Sequence, residues 1–297
     1  MADNSLVRRV QESGRRRIHA FIVDAQDYFA AKRGEFTEFN PPRRLRRLAG
    51  DEVGFSEVGE EFTKYFVDIC GLKPNESILD VGCGSGRIAC VLTKYLNPQG
   101  RYEGFDIVKE GIEWDNKIIA AKFPNFHFQH SNLYNKSYNP KGKSLSSEYK
   151  FPYPDESFDF VFLTSVFTHM LPRDMEHYLS EIVLVLKTDG RCLITFFLLN
   201  NEAKELAEAK TECYINFPYQ FEGYRANNPR FREAAVAYEE DAIRALYERY
   251  GLRIKQPIHY GSWCGRQNYL SVQDIIVAVK NARQNKRGAS LSFVHSV

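Results

Sequence analysis

Several features that would narrow the class of this chain at once are missing. Its six cysteines (Cys70, Cys83, Cys90, Cys192, Cys213, Cys264) form no C-x-x-C pair and have no histidine at zinc-ligand spacing, which argues against a structural metal. Several stand inside apolar runs, the usual place of reduced core thiols in a cytosolic protein. The longest apolar runs, near 160–167 and 193–199, fall far short of the roughly 20 residues that span a bilayer. The basic N-terminal stretch has no apolar segment behind it, so no signal peptide is expected, and the expected location is cytoplasmic. No internal repeat is visible. Net charge is only +2, too little for a chain that coats nucleic acid along its length.

That small charge is unevenly spread. Residues 1–50 hold 11 Lys and Arg against 6 Asp and Glu, whereas the remainder holds 29 against 32. Arg8-Arg9, Arg15-Arg16-Arg17, Arg43-Arg44 and Arg46-Arg47 read either as solvated helix faces or as a surface that meets phosphate. A hydrophobic content of 43% allows a sizeable core, and 297 residues allow one large α/β domain with additions.

The most informative stretch is Ile78-Leu79-Asp80-Val81-Gly82-Cys83-Gly84-Ser85-Gly86-Arg87. An apolar strand runs into an acid and then into a glycine turn that opens a helix. Such a turn lets a ligand approach bare backbone, because glycine has no Cβ and accepts positive φ, and the following helix brings unpaired N–H groups to the same place. The dinucleotide fingerprint G-x-G-x-x-G would need glycine at Arg87, so the pattern here is G-x-G-x-G preceded by Asp80.

Helical spacing is visible over 5–32, Asn40-Pro41-Pro42 interrupts it, and a second helix is predicted over 59–70. Alternation then begins: strand 77–81, helix 87–96, strand 101–106, helix 109–122, strand 126–130, a polar loop 134–150, strand 158–163, helix 173–186 and strand 191–197. Strands separated by helices of ten or more residues predict parallel βαβ units in a doubly wound sheet. Residues 200–236 show no clean period and read as an insertion that covers the site. A helix over 239–250 and strands over 253–260 and 273–278 close the domain, and the tail from 281 is polar.

The decamer resembles motif I of the class I S-adenosylmethionine-dependent methyltransferases, and the order of elements over roughly 55–280 is similar to theirs. The resemblance implies an α/β, seven-stranded Rossmann-like sheet with its last strand antiparallel, an N-terminal helical extension (1–54) and a lid-like insertion after strand five. It also implies S-adenosylmethionine as cofactor and S-adenosylhomocysteine as product. Asp80, Gly82, Cys83, Gly84 and Gly86 would hold the methionine half, although Asp80 also reads as a helix-capping acid. Asp106 would accept both ribose hydroxyls, a bidentate charge-assisted contact, with Ile107 beside it. Asn132 stands where the family often has an Asp for the adenine amino group, next to Leu133. Thr164 and Ser165, at the end of the fourth strand, would face the methionine ammonium. Asp155 and Asp159 read as turn and strand-entry residues.

On the acceptor side, His169 lies just past strand four, where acceptors approach in this family. It reads as a general base with a reference pKa near 6.5, or as a residue that orients the loop or packs on the cofactor. Tyr260, Trp263 and Arg266 sit in a glycine-rich connection suited to aromatic stacking and a planar cation, and Tyr224 belongs to an aromatic stretch (214–224) that would form the opposite wall. These aromatics read equally as packing. No pair of acids with an amide stands at the spacing of the metal-dependent catechol-type enzymes, so no metal is expected. The Asn-Pro-Pro-Tyr type signature of amino-directed nucleic-acid methyltransferases is replaced by Leu163-Thr164-Ser165-Val166. The leading reading is methyl transfer to a small-molecule hydroxyl, on a sugar or another metabolite, by a monomer or homodimer. A methyltransferase acting on RNA or protein docked by the basic N-terminus, and a non-catalytic cofactor binder, are the alternatives.

Overall fold

A computed structural model describes residues 39–48, 54–209 and 213–281. The helix expected over 5–32 and the tail after 281 lie outside the described residues. A short helix α1 (Arg43–Leu48) and a longer α2 (Phe55–Asp68) precede the alternating part. That part runs β1 (Ser77–Val81), α3 (Arg87–Leu92), β2 (Arg101–Asp106), α4 (Lys109–Asp115), β3 (Phe126–His130), β4 (Phe158–Leu163), α5 (Pro172–Val185) and β5 (Leu186–Phe196). Then come β6 (Leu198–Leu199), α6 (Asn201–Glu208), β7 (Tyr219–Phe221), β8 (Tyr224–Ala226), β9 (Val236–Glu239), α7 (Glu240–Arg249), β10 (Leu252–Ile254) and β11 (Asp274–Lys280).

The main sheet has seven strands in the order β10-β11-β5-β4-β1-β2-β3. Its central strands pair parallel, and β11 runs antiparallel to both β5 and β10. The expected doubly wound sheet with an antiparallel closing strand is therefore what forms. Alternation within each strand sorts side chains to opposite faces. Leu79, Val81, Val161 and Leu163 pack with Leu179, Ile182 and Val185 of α5 on one side. Ile78, Phe160 and Phe162 pack with Phe62 and Phe66 of α2 and Ile88 and Leu92 of α3 on the other. Both faces being covered explains why β1 and β4 read as near-continuous apolar runs.

Several boundaries differ from the sequence expectation: the strand predicted over 253–260 is only Leu252–Ile254, the helix predicted over 87–96 is Arg87–Leu92, and the helix predicted over 59–70 is Phe55–Asp68. β5 starts at Leu186 rather than 191, because Leu186 already pairs with Phe158 and the register shifts before Phe160 meets Arg191. The long helix predicted over 109–122 changes at Asn116 into a wider π turn (Asn116–Ala120), where the Asn116 side chain donates to the carbonyls of Ile112 and Phe128. The described residues of the segment 200–236, expected to be an insertion without a clean period, form regular elements. The segment carries α6 and two strands, β7 and β8, of a second, four-stranded sheet, β6-β9-β8-β7, whose strands of two to four residues are too short to show a period. No helix among the described residues is long and apolar enough to cross a membrane.

Candidate active site

A cavity of about 460 Å³ opens at the carboxyl ends of β1, β2 and β4, within the range of small-molecule sites and where an open α/β sheet binds its ligands. The turn after β1 forms its floor. Gly82, Gly84 and Gly86 have φ of 86°, 63° and 75°. At Gly82 a Cβ would also stand 2.4 Å from Val166 Cγ2, so neither backbone nor space admits another residue. The Gly82 and Cys83 amides donate to the Phe105 carbonyl at 2.8 and 3.2 Å, which ties the turn to the end of β2.

Asp106 closes that junction. Its Oδ2 accepts from the Gly84 amide at 2.9 Å and its Oδ1 from the Val108 amide at 2.7 Å. Burial raises its pKa, and the two amide bonds oppose the rise. Asp80 lines the cavity from β1, but it caps no helix: α3 has no side-chain cap. Its Oδ2 instead accepts from Tyr102 Oη at 2.6 Å, and burial pushes its pKa up to about 7. Tyr102 had no sequence signal as a site residue. It meets Asp80 only because Ile78 and Tyr102 lie side by side in the β1–β2 register.

Ser165, two residues past β4, also has a positive φ of 60°, uncommon for a residue with a Cβ. The Ser165 amide donates to Thr195 Oγ1 at 2.8 Å and its hydroxyl to Gln273 Oε1 at 3.2 Å. These contacts hold a strained turn against the cavity, as functional sites often do. His169 follows in a one-turn 3-10 helix (Phe167–His169) and lines the cavity. Its Nδ1 lies 3.1 Å from the Glu233 carbonyl. A carbonyl only accepts, so Nδ1 carries the proton and Nε2 keeps its lone pair. Burial moves the His169 pKa below its ordinary 6.5, which keeps the ring neutral near pH 7.

Cys83, Ile107 and Thr164 also line the cavity, with Glu61 and Phe62 of α2, Asn135 and Tyr138 of the polar loop, and Tyr214 and Ile215 of the insertion. Several predicted residues do not. Gly86 faces α4, where a Cβ would meet Asp115 Oδ1 at 2.6 Å and Ile119 Cδ1 at 2.7 Å. Its glycine serves helix packing. Asn132 is exposed and its Oδ1 accepts from Asn139 Nδ2, while Leu133 is buried in the core. Asn135 and Tyr138, three and six residues on, reach the cavity instead.

The predicted acceptor-binding cluster needs correction more fully. Trp263 and Arg266 are 2% and 5% exposed and are bound to Asp274 at the start of β11. Asp274 accepts from Trp263 Nε1 at 2.7 Å, Arg266 Nη1 at 3.3 Å, and the amides of Gly261 and Leu198 at 2.7 and 2.6 Å. Arg266 also donates to Glu202 and Asn200 and stacks over Tyr260, whose hydroxyl donates to Glu240. Tyr224 is buried in β8, stacked on Phe221 at 5.1 Å. The same loop reaches the cavity a few residues later, through Ser271, Val272 and Gln273.

Beneath the glycine turn lies an acid that the sequence did not flag. Asp115 is fully buried, and among the described residues neither of its carboxyl oxygens has a hydrogen-bond partner. Burial, then the charges of Asp106 and Asp80, raise its pKa well above the usual carboxylate value. A raised carboxyl pKa leaves stability whole below the unfolded value and erodes it as pH climbs toward the folded one. Asp115→Asn, which keeps the shape and removes the titration, is expected to be more stable than the parent by about 1–3 kcal/mol at pH 8. The gap should close toward pH 4. Urea unfolding at both pH values measures it, and an unchanged gap would rule out the neutral carboxyl.

A methyltransferase domain family model matches residues 72–228, just over half of the chain. The chain belongs to the class I S-adenosylmethionine-dependent methyltransferase family, whose cofactor is S-adenosylmethionine. Among curated relatives, phosphoethanolamine N-methyltransferase 3 of Arabidopsis thaliana is 30% identical over 159 residues, which is 51% of this chain and 27% of that one. The tRNA N(3)-cytidine methyltransferase METTL2 of Gallus gallus is 24% identical over 203 residues, 65% of this chain and 47% of that one. This chain thus matches about a quarter to a half of the length of those relatives. A solved Burkholderia thailandensis 1,6-didemethyltoxoflavin-N1-methyltransferase, with 1,6-didemethyltoxoflavin and S-adenosylhomocysteine bound, shares the fold at a TM-score of 0.50 and 16% identity. That match covers 89% of this chain and 90% of the other.

Proposed function

We propose that this chain transfers a methyl group from S-adenosylmethionine to the hydroxyl of a small molecule, with His169 as the base and no metal. One observation carries the reading: a single cavity joins the glycine turn and Asp106 to a neutral His169. The residues fit the cofactor. Asp106 offers the remaining lone pairs of both oxygens to the ribose hydroxyls, and Gly82, Gly84 and Thr164 present backbone to the methionine end. When bound, S-adenosylmethionine supplies a methyl carbon activated by its sulfonium. The protein's own tasks are to orient the acceptor, exclude water and accept a proton at His169 Nε2. Residues 55–280 form the transferase domain in this reading. α1, α2 and the 200–236 insertion, which contribute Leu45, Phe62, Tyr214 and Ala235 to the walls, act as its cover.

The enclosing walls favour a small acceptor. The plant relative is named for phosphoethanolamine, and the bacterial structure holds a heterocycle. The avian relative is named for tRNA, so RNA is the second reading to test. Transfer of labelled methyl into a size-fractionated extract separates the two. Label in the small-molecule fraction supports the proposal, and label in RNA or protein replaces it. His169→Ala is expected to lower kcat by roughly 10²–10⁴-fold with S-adenosylhomocysteine affinity unchanged. Because burial lowers the His169 pKa, the acid limb of the parent's pH–rate profile should lie below pH 6.5. Full activity in the variant would remove the base.

A further inference from the structure

Resting on the methyltransferase reading, we propose that the acceptor is an uncharged phenol whose ring lies against Tyr138 and Tyr214 and whose hydroxyl gives its proton to His169. Charge in the cavity is segregated. Among the described residues its charged side chains, Glu61, Asp80, Arg87 and Asp106, stand on α2 and around the glycine turn. Beyond His169 the walls are Met170, Tyr178, Phe197, Ile215, Ala234 and Ala235, with the uncharged polar groups of Asn135, Ser146, Ser271 and Gln273 between them. A phosphorylated or carboxylated acceptor would lose its hydration there with no cation among the described residues of that wall to replace it.

Three cations among the described residues near these segments of the chain are already engaged. Lys136 lies over the Phe231 ring at 5.3 Å, and Arg232 lies 4.0 Å from the Phe221 centroid and donates to the Tyr224 hydroxyl. Arg266 is held by Asp274, Glu202 and Asn200. Each of these contacts occupies a charge that could otherwise turn toward an anionic acceptor.

The mouth is aromatic and unusually open to solvent. Tyr214 is 75% exposed, Val272 42% and Tyr138 37%, yet all three line the cavity. Elsewhere in the segment Phe217 and Tyr224 are buried in the cores, while Tyr219, away from the cavity, is also exposed. Large apolar side chains left exposed at the rim of a cavity mark a surface completed by a ligand. The Tyr138 ring meets the His169 ring edge-on, with centroids 6.1 Å apart. A flat acceptor lying along Tyr138 is thereby brought to the base, with the ring contact worth more than its area alone.

The chemistry selects among apolar alcohols. A neutral imidazole is a weak base, and it matches a phenolic hydroxyl, with pKa near 10 as in tyrosine, far better than an aliphatic one. In the transfer, the phenolic oxygen bonds to the methyl carbon as the carbon–sulfur bond breaks and its electron pair stays on sulfur. The sulfonium becomes a neutral thioether, the phenolic proton passes to His169 Nε2, and the ring later releases it to water.

The test uses the full chain. Calorimetry with S-adenosylhomocysteine comes first, followed by labelled methyl transfer to 2-naphthol and 4-methylphenol, to methyl glucoside, and to phosphoethanolamine. Label on the phenols is expected. Tyr214→Ala and Tyr138→Ala should raise KM for them at least tenfold with kcat within threefold, and phenylalanine at either position should restore the parent KM. Both tyrosines are exposed, so their loss leaves the fold intact. Label confined to the glucoside or phosphoethanolamine, or no label on either phenol while S-adenosylhomocysteine binds, overturns the acceptor class and leaves the methyltransferase reading standing. No binding of S-adenosylhomocysteine overturns both.

Discussion

Asp106→Ala should weaken S-adenosylhomocysteine binding by roughly 10²–10⁴-fold, the loss of two hydrogen bonds to a charged acceptor at about 1.5–3 kcal/mol each. The carboxylate sits at the end of β2 with two backbone amides already fixing its plane, so its free lone pairs are set before any ligand arrives. Such preorganisation is why a single acid is expected to carry so much of the affinity. The alanine change also removes the acceptor for the Gly84 and Val108 amides, and the glycine turn loosens with it. Asp106→Asn separates the two effects, since its amide oxygen still accepts one of these bonds. It should lose about tenfold and keep the parent's thermal stability. Calorimetric titration of both variants decides the matter, and an alanine variant within threefold of the parent would remove Asp106 from the site.

Asp274→Ala is expected to have the largest effect on the fold. The carboxylate is completely buried and accepts from two backbone amides, the Trp263 indole and the Arg266 guanidinium. Removing it leaves three N–H donors and a buried cation without their acceptor, a cost of about 3–5 kcal/mol. In a domain of this size that corresponds to a fall in Tm on the order of 10 °C. The neighbourhood gives a second readout. Trp263 packs against Phe197 and Phe217, each with ring centroids 5.5 Å away. Trp263 also shares its loop with Ser271, Val272 and Gln273 of the cavity wall. Tryptophan fluorescence should therefore shift to the red in folded Asp274→Ala, and acceptor KM should rise more than cofactor Kd. A variant that melts with the parent would show that Arg266 and Trp263 find other partners.

The two residues that looked most like a binding loop, Trp263 and Arg266, thus form an internal brace instead. Nothing local distinguishes the two roles. A planar cation beside an indole suits a ligand and suits a buried carboxylate equally well, and the choice was made by Asp274, eight residues beyond Arg266, which the antiparallel pairing of β11 with β5 holds beside Phe196. Asn132 failed for a similar reason. The polar loop folds back so that Asn139 takes its amide oxygen, and the cavity-facing positions move to Asn135 and Tyr138.

Local chemistry did determine the central part of the protein. Apolar strands alternating with amphipathic helices bury both faces of a parallel sheet by layering helices against it. A G-x-G-x-G turn between β1 and α3 admits nothing but glycine where φ is positive and Val166 presses close. Asp106 was legible because strand and turn lengths fix it at the end of β2. Only the tertiary structure decided what surrounds that centre. The protonated Nδ1 of His169 depends on a carbonyl 64 residues away in sequence, Tyr102 reaches Asp80 through strand register, and Tyr214 reaches the mouth through an insertion whose strands are too short to announce themselves. Those contacts join segments far apart in the chain, and no local pattern encodes a partner that the chain meets only after folding.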